Sequence, residues 1–539
     1  MAFVMVEETP FGKAVIEQNS SSRPVTGRVA FRGTLVTSAW TLCSRILGFV
    51  RDALMTAFYG VTPLTGAFFL AWLIPNLFRK LFGEGAVGAA MQPALARAEL
   101  EGGQRYAHQV FARFQGFVLM LLLALIFLAE VVLFLWLKQV DPEQQTDLHQ
   151  TLTLATIVFP YLLPICMCAL AAAPQSLHGY FALPALSPAL LNVAWISLLL
   201  GTSLLPGFPN RTSMHWLAAG ILFAGFLQWG SQAPGVKAVG FPMLPAFHPG
   251  DGSVRRTMKN FAPALLGLAA VQIQLAVDSL LVRILVDSSA NTYTFLANRL
   301  LQLPLSLVGI AAATGTLPLF ARLSAENRLS ELRHALKRTA ALSFLVILSA
   351  TGGLFVLATP VIEVLFEHGR FHADDTAILA ATLRAYLIGL PAASLSALLT
   401  RARQSRQDFR GPAWIAVSLI PVNLGLDLLL LPWIGVAGAG FATSTSLCLQ
   451  CLWLVRGMGK VELAGCLPEW RQILRLACPA AAASASAWIL ARLLGPNDGT
   501  LWGLALSIAI GIAAATVTTA KVLPQDFAQL KSLITRKNK

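Results

Sequence analysis

Apolar segments about twenty residues long recur along almost the whole chain, and they constrain its fold more than any other feature. Residues 117–137 read FVLMLLLALIFLAEVVLFLWL, and 341–357 form another such run. Roughly 20 apolar residues cross the ~30 Å of a bilayer's hydrocarbon as a helix. In that medium the backbone must satisfy its own hydrogen bonds, so open sheets and irregular loops are excluded. Only 12% of the 539 residues are charged and 56% are hydrophobic, whereas soluble chains average roughly 25% charged. The segments leave no room for a soluble domain of useful size. The expected fold class is an all-α membrane protein.

The segments divide into about fourteen helices. Six fall within 34–232 and six within 259–458, separated by a cytoplasmic linker, 233–258. Two more occupy 471–521. Residues 1–33 lack the apolar core of a cleavable signal and are expected to form a mobile cytoplasmic tail. Residues 522–539 form a basic tail. Loop charge supports an even number of crossings. With the amino terminus inside, the inward loops hold Arg97 and Arg105, Arg255 and Arg256, Arg322 to Arg338, Arg401 to Arg410, and the carboxyl tail from Lys531 to Lys539. The outward loops hold little beyond Lys138, Arg211 and Arg370. This is the positive-inside pattern, and it places both termini in the cytoplasm.

The same pattern accounts for the net charge of +14. No basic segment is interleaved with aromatics as in nucleic-acid binders, so nucleic acid is not an expected partner. The seven cysteines lie mostly in apolar segments. Cys448 and Cys451 form a C-x-x-C without a second ligand pair, which reads as packing.

A short internal repeat is visible. The second helix carries Pro75 and ends Pro93-x-x-Ala96-Arg97; the eighth carries Pro304 and ends Pro318-x-x-Ala321-Arg322. Equivalence six helices apart suggests two pseudo-symmetric six-helix lobes, a common transporter plan. Pro75, Pro304 and the Gly83-x-Gly85 pair are expected to bend the second and eighth helices.

Arginine inside apolar segments is the chemical anomaly. The first helix contains Arg45, Arg51 and Asp52, the second Asn76, Arg79, Lys80 and Glu84, and the eighth Arg299. Arg45 lies roughly 16 Å from the expected start of its helix, and Arg79 roughly 22 Å from the outer end of the second. A buried arginine costs several kcal/mol unless it is paired or faces water. Asp52, about 20° from Arg45 on the helical wheel, and Glu84 are the nearest acids, and the basic residues outnumber them. A hydrated cationic cavity follows, whose missing counter-charge is the ligand. The planar guanidinium fork suits phosphate oxygens. Structural ion pairs near the inner interface are the alternative.

A second group lies in the other half. Asn423 and Asp427, four residues apart, share a helical face; Thr443 is on the next helix, and Asp278 is mid-membrane on the seventh. These oxygens suit sodium or a proton as coupling ion, or simple interhelical hydrogen bonding. Glu130 is also intramembrane, with no assigned role. His368 and His372 have zinc-like spacing but flank Gly369 in a loop, so no metal beyond a monovalent cation and no cofactor is expected. No phosphate-binding P-loop, G-x-S-x-G or large outward loop is present, so an enzyme is not expected.

At these residues the chain resembles the MurJ (MviN) family, lipid II flippases of the multidrug/oligosaccharidyl-lipid/polysaccharide exporter superfamily. The resemblance runs from about Thr34 to Met458. It rests on Ser44-Arg45-Ile46-Leu47-Gly48-Phe49-Val50-Arg51-Asp52, on Ala67-Phe68-Phe69 through Ile74-Pro75-Asn76-Leu77-Phe78-Arg79-Lys80-Leu81-Phe82, on Ala297-Asn298-Arg299-Leu300, on Phe366-Glu367-His368-Gly369-Arg370-Phe371 and on Ser405-Arg406-Gln407-Asp408. It implies that Arg45, Arg51, Arg79 and Arg299 face the pyrophosphate of undecaprenyl-linked disaccharide-pentapeptide, lipid II, in the bacterial inner membrane. It implies a groove for the lipid tail on the last two helices, and a cation site at Asp278, Asn423, Asp427 and Thr443. Gly66 stands where the family usually has an aspartate before Ala-Phe-Phe, and Gln302 where an acid often follows the eighth-helix arginine. A monomer, with cell-wall synthesis proteins as possible associates, is the expected assembly. The alternatives are a flippase for another polyprenyl-linked oligosaccharide, a multidrug exporter, and, more distantly, a membrane glycosyltransferase or a cell-wall scaffold.

Overall fold

A computed structural model describes residues 27–81, 87–247, 252, 272–313, 316–494 and 501–524. Every regular element among them is helical. The first part of the chain forms α1 (Gly27–Tyr59), α2 (Pro63–Leu81), α3 (Val87–Leu137), α4 (Thr146–Val158), α5 (Leu162–Leu177), α6 (Ala182–Thr202), α7 (Arg211–Ser231) and the short α8 (Ala233–Ala238). The second part begins with α9 (272–285). It continues with α10 (Asn291–Ala313), α11 (Thr316–Ala325), α12 (Leu329–Val356), α13 (Ala358–Phe366), α14 (Ala373–Ser405), α15 (Arg410–Ile434), α16 (Ala437–Gly457), α17 (Trp470–Leu494) and α18 (Leu501–Val522).

Nine helices among the described residues are long and apolar enough to cross a membrane. Fourteen crossings would also require α1, α2, α7, α9 and α10. Of these, α1, α2, α7 and α10 are less apolar because they carry Arg45, Arg51 and Asp52, Arg79 and Lys80, His215 and Gln228, and Arg299, while α9 is described only over 272–285. Lipid-facing character is plainest in α3, where Phe127 is 72% exposed although wholly apolar.

Several expected boundaries shift. α1 begins at Gly27, so 27–33 are helical rather than part of a tail. Arg45 therefore lies roughly 27 Å along its helix, not 16 Å. α3 is two helices broken at Gly102 and Gly103. Gly103 has φ +69°, a left-handed value that glycine adopts without steric cost. The linker is partly structured: α8 leads to Phe241, buried against His108 and Phe111, and the Ala246 amide donates to Ala112 O at 2.8 Å. Helical structure continues through Pro75 and Pro304. Each proline leaves the carbonyl four residues earlier without its helical donor. Gly83, Glu84 and Gly85 lie outside the described residues.

The apolar core follows the two parts of the chain. One cluster is built from residues between Met55 and Phe241. Others are built from residues between Val282 and Ala487. α17 and α18 pack on each other and on α12. In the second part α14 and α16 approach most closely, through small residues. A methyl group on Gly440 would lie 2.6 Å from Ala385 Cβ, and one on Gly389 2.7 Å from Ser444 Cα.

The two parts meet at one end of the space between them. Phe69 stacks on Phe295 with centroids 4.1 Å apart. Asn291 Nδ2 donates to Gly66 O at 2.9 Å. The Arg370 amide donates to Ala57 O at 2.9 Å.

Overpacking a tight contact costs about 1–3 kcal/mol. Gly440→Ala should therefore lower the thermal unfolding midpoint of the purified protein. Gly425→Ala, where a methyl group meets open space, should leave it within error. Equal midpoints for both variants would refute the α14–α16 packing described.

Candidate functional site

A cavity of about 670 Å³ lies between the two parts of the chain, and Arg45, Arg51, Arg79, Lys80 and Arg299 all line it. Asp278 is the one carboxylate in its lining among the described residues, with Asp52 directly behind. α1 and α2 supply the basic groups from one side, α10 from the other. Amides complete much of the wall: Asn76, Gln92, Asn192, Gln272, Asn298 and Gln302.

The arginines are not equivalent. Arg51 is nearly buried. Its Nε and Nη2 donate to Asp52 Oδ1 at 2.9 and 2.6 Å, and its Nη1 donates to Asn192 Oδ1 at 3.0 Å. Its guanidinium lies 4.4 Å from the Trp195 ring centroid, a favourable cation–π position. Asn192 is itself fixed by donating to Ser44 O at 2.8 Å. The other Asp52 oxygen lies 3.1 Å from Arg299 Nε. Arg299 also sits over Phe49, 5.3 Å from its centroid. It crosses α1 at Gly48, where a methyl group would collide with its terminal nitrogen.

Asp52 thus pairs with Arg51 and Arg299, not with Arg45 as the wheel position of α1 suggests. A wheel shows one helix, and the partner comes from α10. Arg45 has no carboxylate partner among the described residues. Among the described residues Arg79 donates only to the neutral Asn76 Oδ1, at 3.1 and 3.0 Å. Two guanidinium groups are therefore held as scaffold, and two face the cavity without a counter-charge from any described residue. Glu84, the other acid considered for them, is not among those residues.

The second group is a hydrogen-bonded cluster joining α9, α15 and α16. Asn423 Nδ2 donates to Asp278 Oδ1 at 2.6 Å and to Asp427 Oδ2 at 2.9 Å. Thr443 Oγ1 donates to Asp278 Oδ2 at 2.9 Å. Ser446 Oγ donates to Asn423 Oδ1 at 3.0 Å. Asp278 and Asp427 are 1% and 0% exposed, and neither has a basic partner among the described residues. Asp427 Oδ1 has no hydrogen-bond partner among the described residues.

Sequence reasoning missed Asn192, Gly48, Ser446 and Tyr386. Asn192 and Ser446 are polar groups inside apolar helices, so the search that found Asn423 could have found them. Gly48 and Tyr386 carry no such mark. Glu130 has a buried carboxylate oxygen without a partner, and nothing in the structure explains it.

Gly66 closes against the second part so tightly that a methyl group would lie 2.7 Å from Asn291 Oδ1 and 2.8 Å from Arg283 Nη1. The position therefore has no room for an aspartate in this conformation. Gln302 lines the cavity.

Removing one partner of a buried ion pair costs about 3–5 kcal/mol. Asp52→Asn should lower the unfolding midpoint sharply, and adding Arg299→Gln should restore part of it. Additive losses in the double variant would show that the two residues do not interact.

The chain matches the family model described as lipid II flippase MurJ over residues 55–517. It is 29% identical over 455 residues to the lipid II flippase MurJ of Burkholderia cenocepacia, covering 82% of this chain and 86% of the relative. It is 31% identical over 417 residues to a probable lipid II flippase MurJ of Rhizobium tropici, covering 75% and 76%. Its fold is similar to that of a lipid II flippase MurJ in an inward closed conformation, with a TM-score of 0.73 at 22% identity over 90% of this chain and 98% of that one. A multidrug resistance MATE family transporter in its inward-facing conformation follows, with a TM-score of 0.62 at 14% identity, covering 78% and 94%. On the family match and the shared length, this chain belongs to the lipid II flippase MurJ family, a family of membrane transporters and not of enzymes.

Proposed function

We propose that this protein moves lipid II from the cytoplasmic to the outer leaflet of the bacterial inner membrane by alternating access, with both termini in the cytoplasm. The observation that carries the reading is the pair Arg45 and Arg79, which line the cavity without a carboxylate partner among the described residues. In a low-dielectric surrounding such groups call for an anion. A diphosphate offers the bidentate acceptors that guanidinium forks match best. Arg51 and Arg299, already held by Asp52, would shape the site and add field. The head group would sit among the cavity amides while the lipid tail stays in the bilayer, along α17 and α18.

A basic cavity argues against an exporter of organic cations. A flippase for another polyprenyl-linked oligosaccharide would use the same diphosphate contacts and differ in the amides.

Asp278, Asp427, Asn423 and Thr443 would hold the coupling ion. Two buried carboxylates with only neutral partners require a proton or a cation between them. The donor set is hard oxygen, as sodium prefers. The bare Asp427 Oδ1 is an open acceptor for either. A cation moved across the membrane would contribute about 2.3 kcal/mol per 100 mV.

Expression in a flippase-depleted bacterium should restore growth. Arg45→Ala, Arg79→Ala and Arg299→Ala should each abolish rescue at equal membrane levels, and Arg79→Lys should restore it only in part because ammonium lacks the planar fork. Full rescue by Arg45→Ala and Arg79→Ala would overturn the diphosphate reading. Failure of the unaltered, correctly inserted protein would overturn the lipid II assignment.

A further inference from the structure

We propose that Tyr386 is the positioning residue through which the acidic cluster acts on the arginine cavity, so that cation and diphosphate bind cooperatively; this rests on the proposed transport function.

Tyr386 is fully buried and lines the cavity together with Asp278, Asn298 and Arg299. It belongs to neither the arginine group nor the acidic cluster, yet it stands between them. Its hydroxyl lies beside Thr443 and Asn298, with Asp278 and Asp427 close by. It makes no hydrogen bond of proper geometry with any of them. A buried hydroxyl left without a partner costs about 1–3 kcal/mol. Such a group signals either an unfilled site or a movable proton.

The root of the side chain is fixed. Ser444 Oγ donates to Ala385 O at 2.6 Å and to Tyr386 O at 3.2 Å. The same oxygen accepts from the Gly389 amide at 3.0 Å. A methyl group on Gly440 would lie 3.0 Å from Tyr386 N. α14 and α16 therefore hold the ring rigidly, and the hydroxyl proton is its one free element. A hydroxyl has a single proton to donate and rotates to suit its surroundings.

Two orientations follow. With the carboxylates uncompensated, the proton turns toward them, where Asp427 Oδ1 is open. With a monovalent cation held by the cluster, the hydroxyl oxygen faces positive charge and the proton turns away, toward Asn298. The Asn298 amide nitrogen donates to Thr294 O at 3.0 Å, which leaves its carbonyl oxygen to accept. Arg299 is the next residue on α10. Cation binding thereby fixes the cavity wall beside Arg299, and an anion bound there favours the cation in return, since linkage is reciprocal.

The test uses the full chain in nanodiscs, inorganic pyrophosphate as probe, and calorimetry in sodium chloride against choline chloride at equal ionic strength. The readout is the ratio of the two affinities. Sodium should tighten pyrophosphate binding about 5-fold or more, the lower end of measured allosteric couplings. Tyr386→Phe, which removes only the hydroxyl, should bring the ratio toward one while radioactive sodium still binds. Asp427→Asn should remove both the ratio and sodium binding. A full sodium effect in Tyr386→Phe overturns the proposal. Loss of sodium binding in Tyr386→Phe also overturns it, since the hydroxyl is then a cation ligand. Pyrophosphate binding that needs Arg45 but ignores sodium in the unaltered protein overturns the coupling and leaves the diphosphate reading intact. Absence of pyrophosphate binding overturns both.

Discussion

One carboxylate between two guanidinium groups organises the centre of the molecule. Asp52 is 1% exposed, and its two oxygens face Arg51 and Arg299 separately. Burying three charged groups is costly unless geometry and hydrogen bonding compensate. The compensation is visible in the Asn192 bridge, the Trp195 and Phe49 rings, and the bare backbone at Gly48. Because Arg51 and Asp52 belong to α1 and Arg299 to α10, the pairing also ties the two parts of the chain together across the cavity. A single acid shared by two bases leaves both partly compensated. An anion arriving at the cavity can therefore strengthen its hold on Arg299 without stripping Asp52 of its other partner.

The architecture keeps the cationic groups apart from the acidic cluster. Arg45, Arg51 and Arg79 are carried by helices of the first part, Asp427 and Thr443 by helices of the second. α9 and α10 bring Asp278 and Arg299 to the wall where the regions meet. If the cluster lay beside Arg45, the carboxylates would neutralise the arginines and neither ligand would be needed. Separation preserves both charge deficits, and the shared wall is where the proposed cation and diphosphate sites would communicate.

Much of this was legible in the sequence because polar residues are conspicuous in apolar helices. Arg45, Arg79 and Arg299 stand out by type, and Asn423 and Asp427 by spacing. What the sequence could not show was pairing between distant helices. The helical wheel placed Asp52 near Arg45, yet the bond runs to Arg51 and to a residue far along the chain. Tyr386 is one of many buried aromatics, and only its position between two polar groups distinguishes it. Gly48 matters through what crosses it. The start of α1 at Gly27 escaped notice because 27–33 lack apolar periodicity; the helix there projects beyond the apolar stretch.

The departure at Gly66 bears on how the two parts of the chain are held together at this end of the cavity. The family usually has an aspartate here, but in this chain the space is filled by Ser288, Asn291 and Arg283. The acceptors that join the two parts there are the backbone carbonyls of Gly66 and Ala57, which receive the Asn291 side chain and the Arg370 amide. Arg283 adds bonds to Ser288 O and, at 3.2 Å, to Thr151 Oγ1. Neutral acceptors do not titrate, and a guanidinium stays charged throughout the physiological range. Closure built this way uses no carboxylate at position 66, although those of Asp147 and Asp287 lie near Arg283. Under the proposed function, sensitivity to an ion would enter at the Asp278–Asp427 cluster, a pair of buried carboxylates.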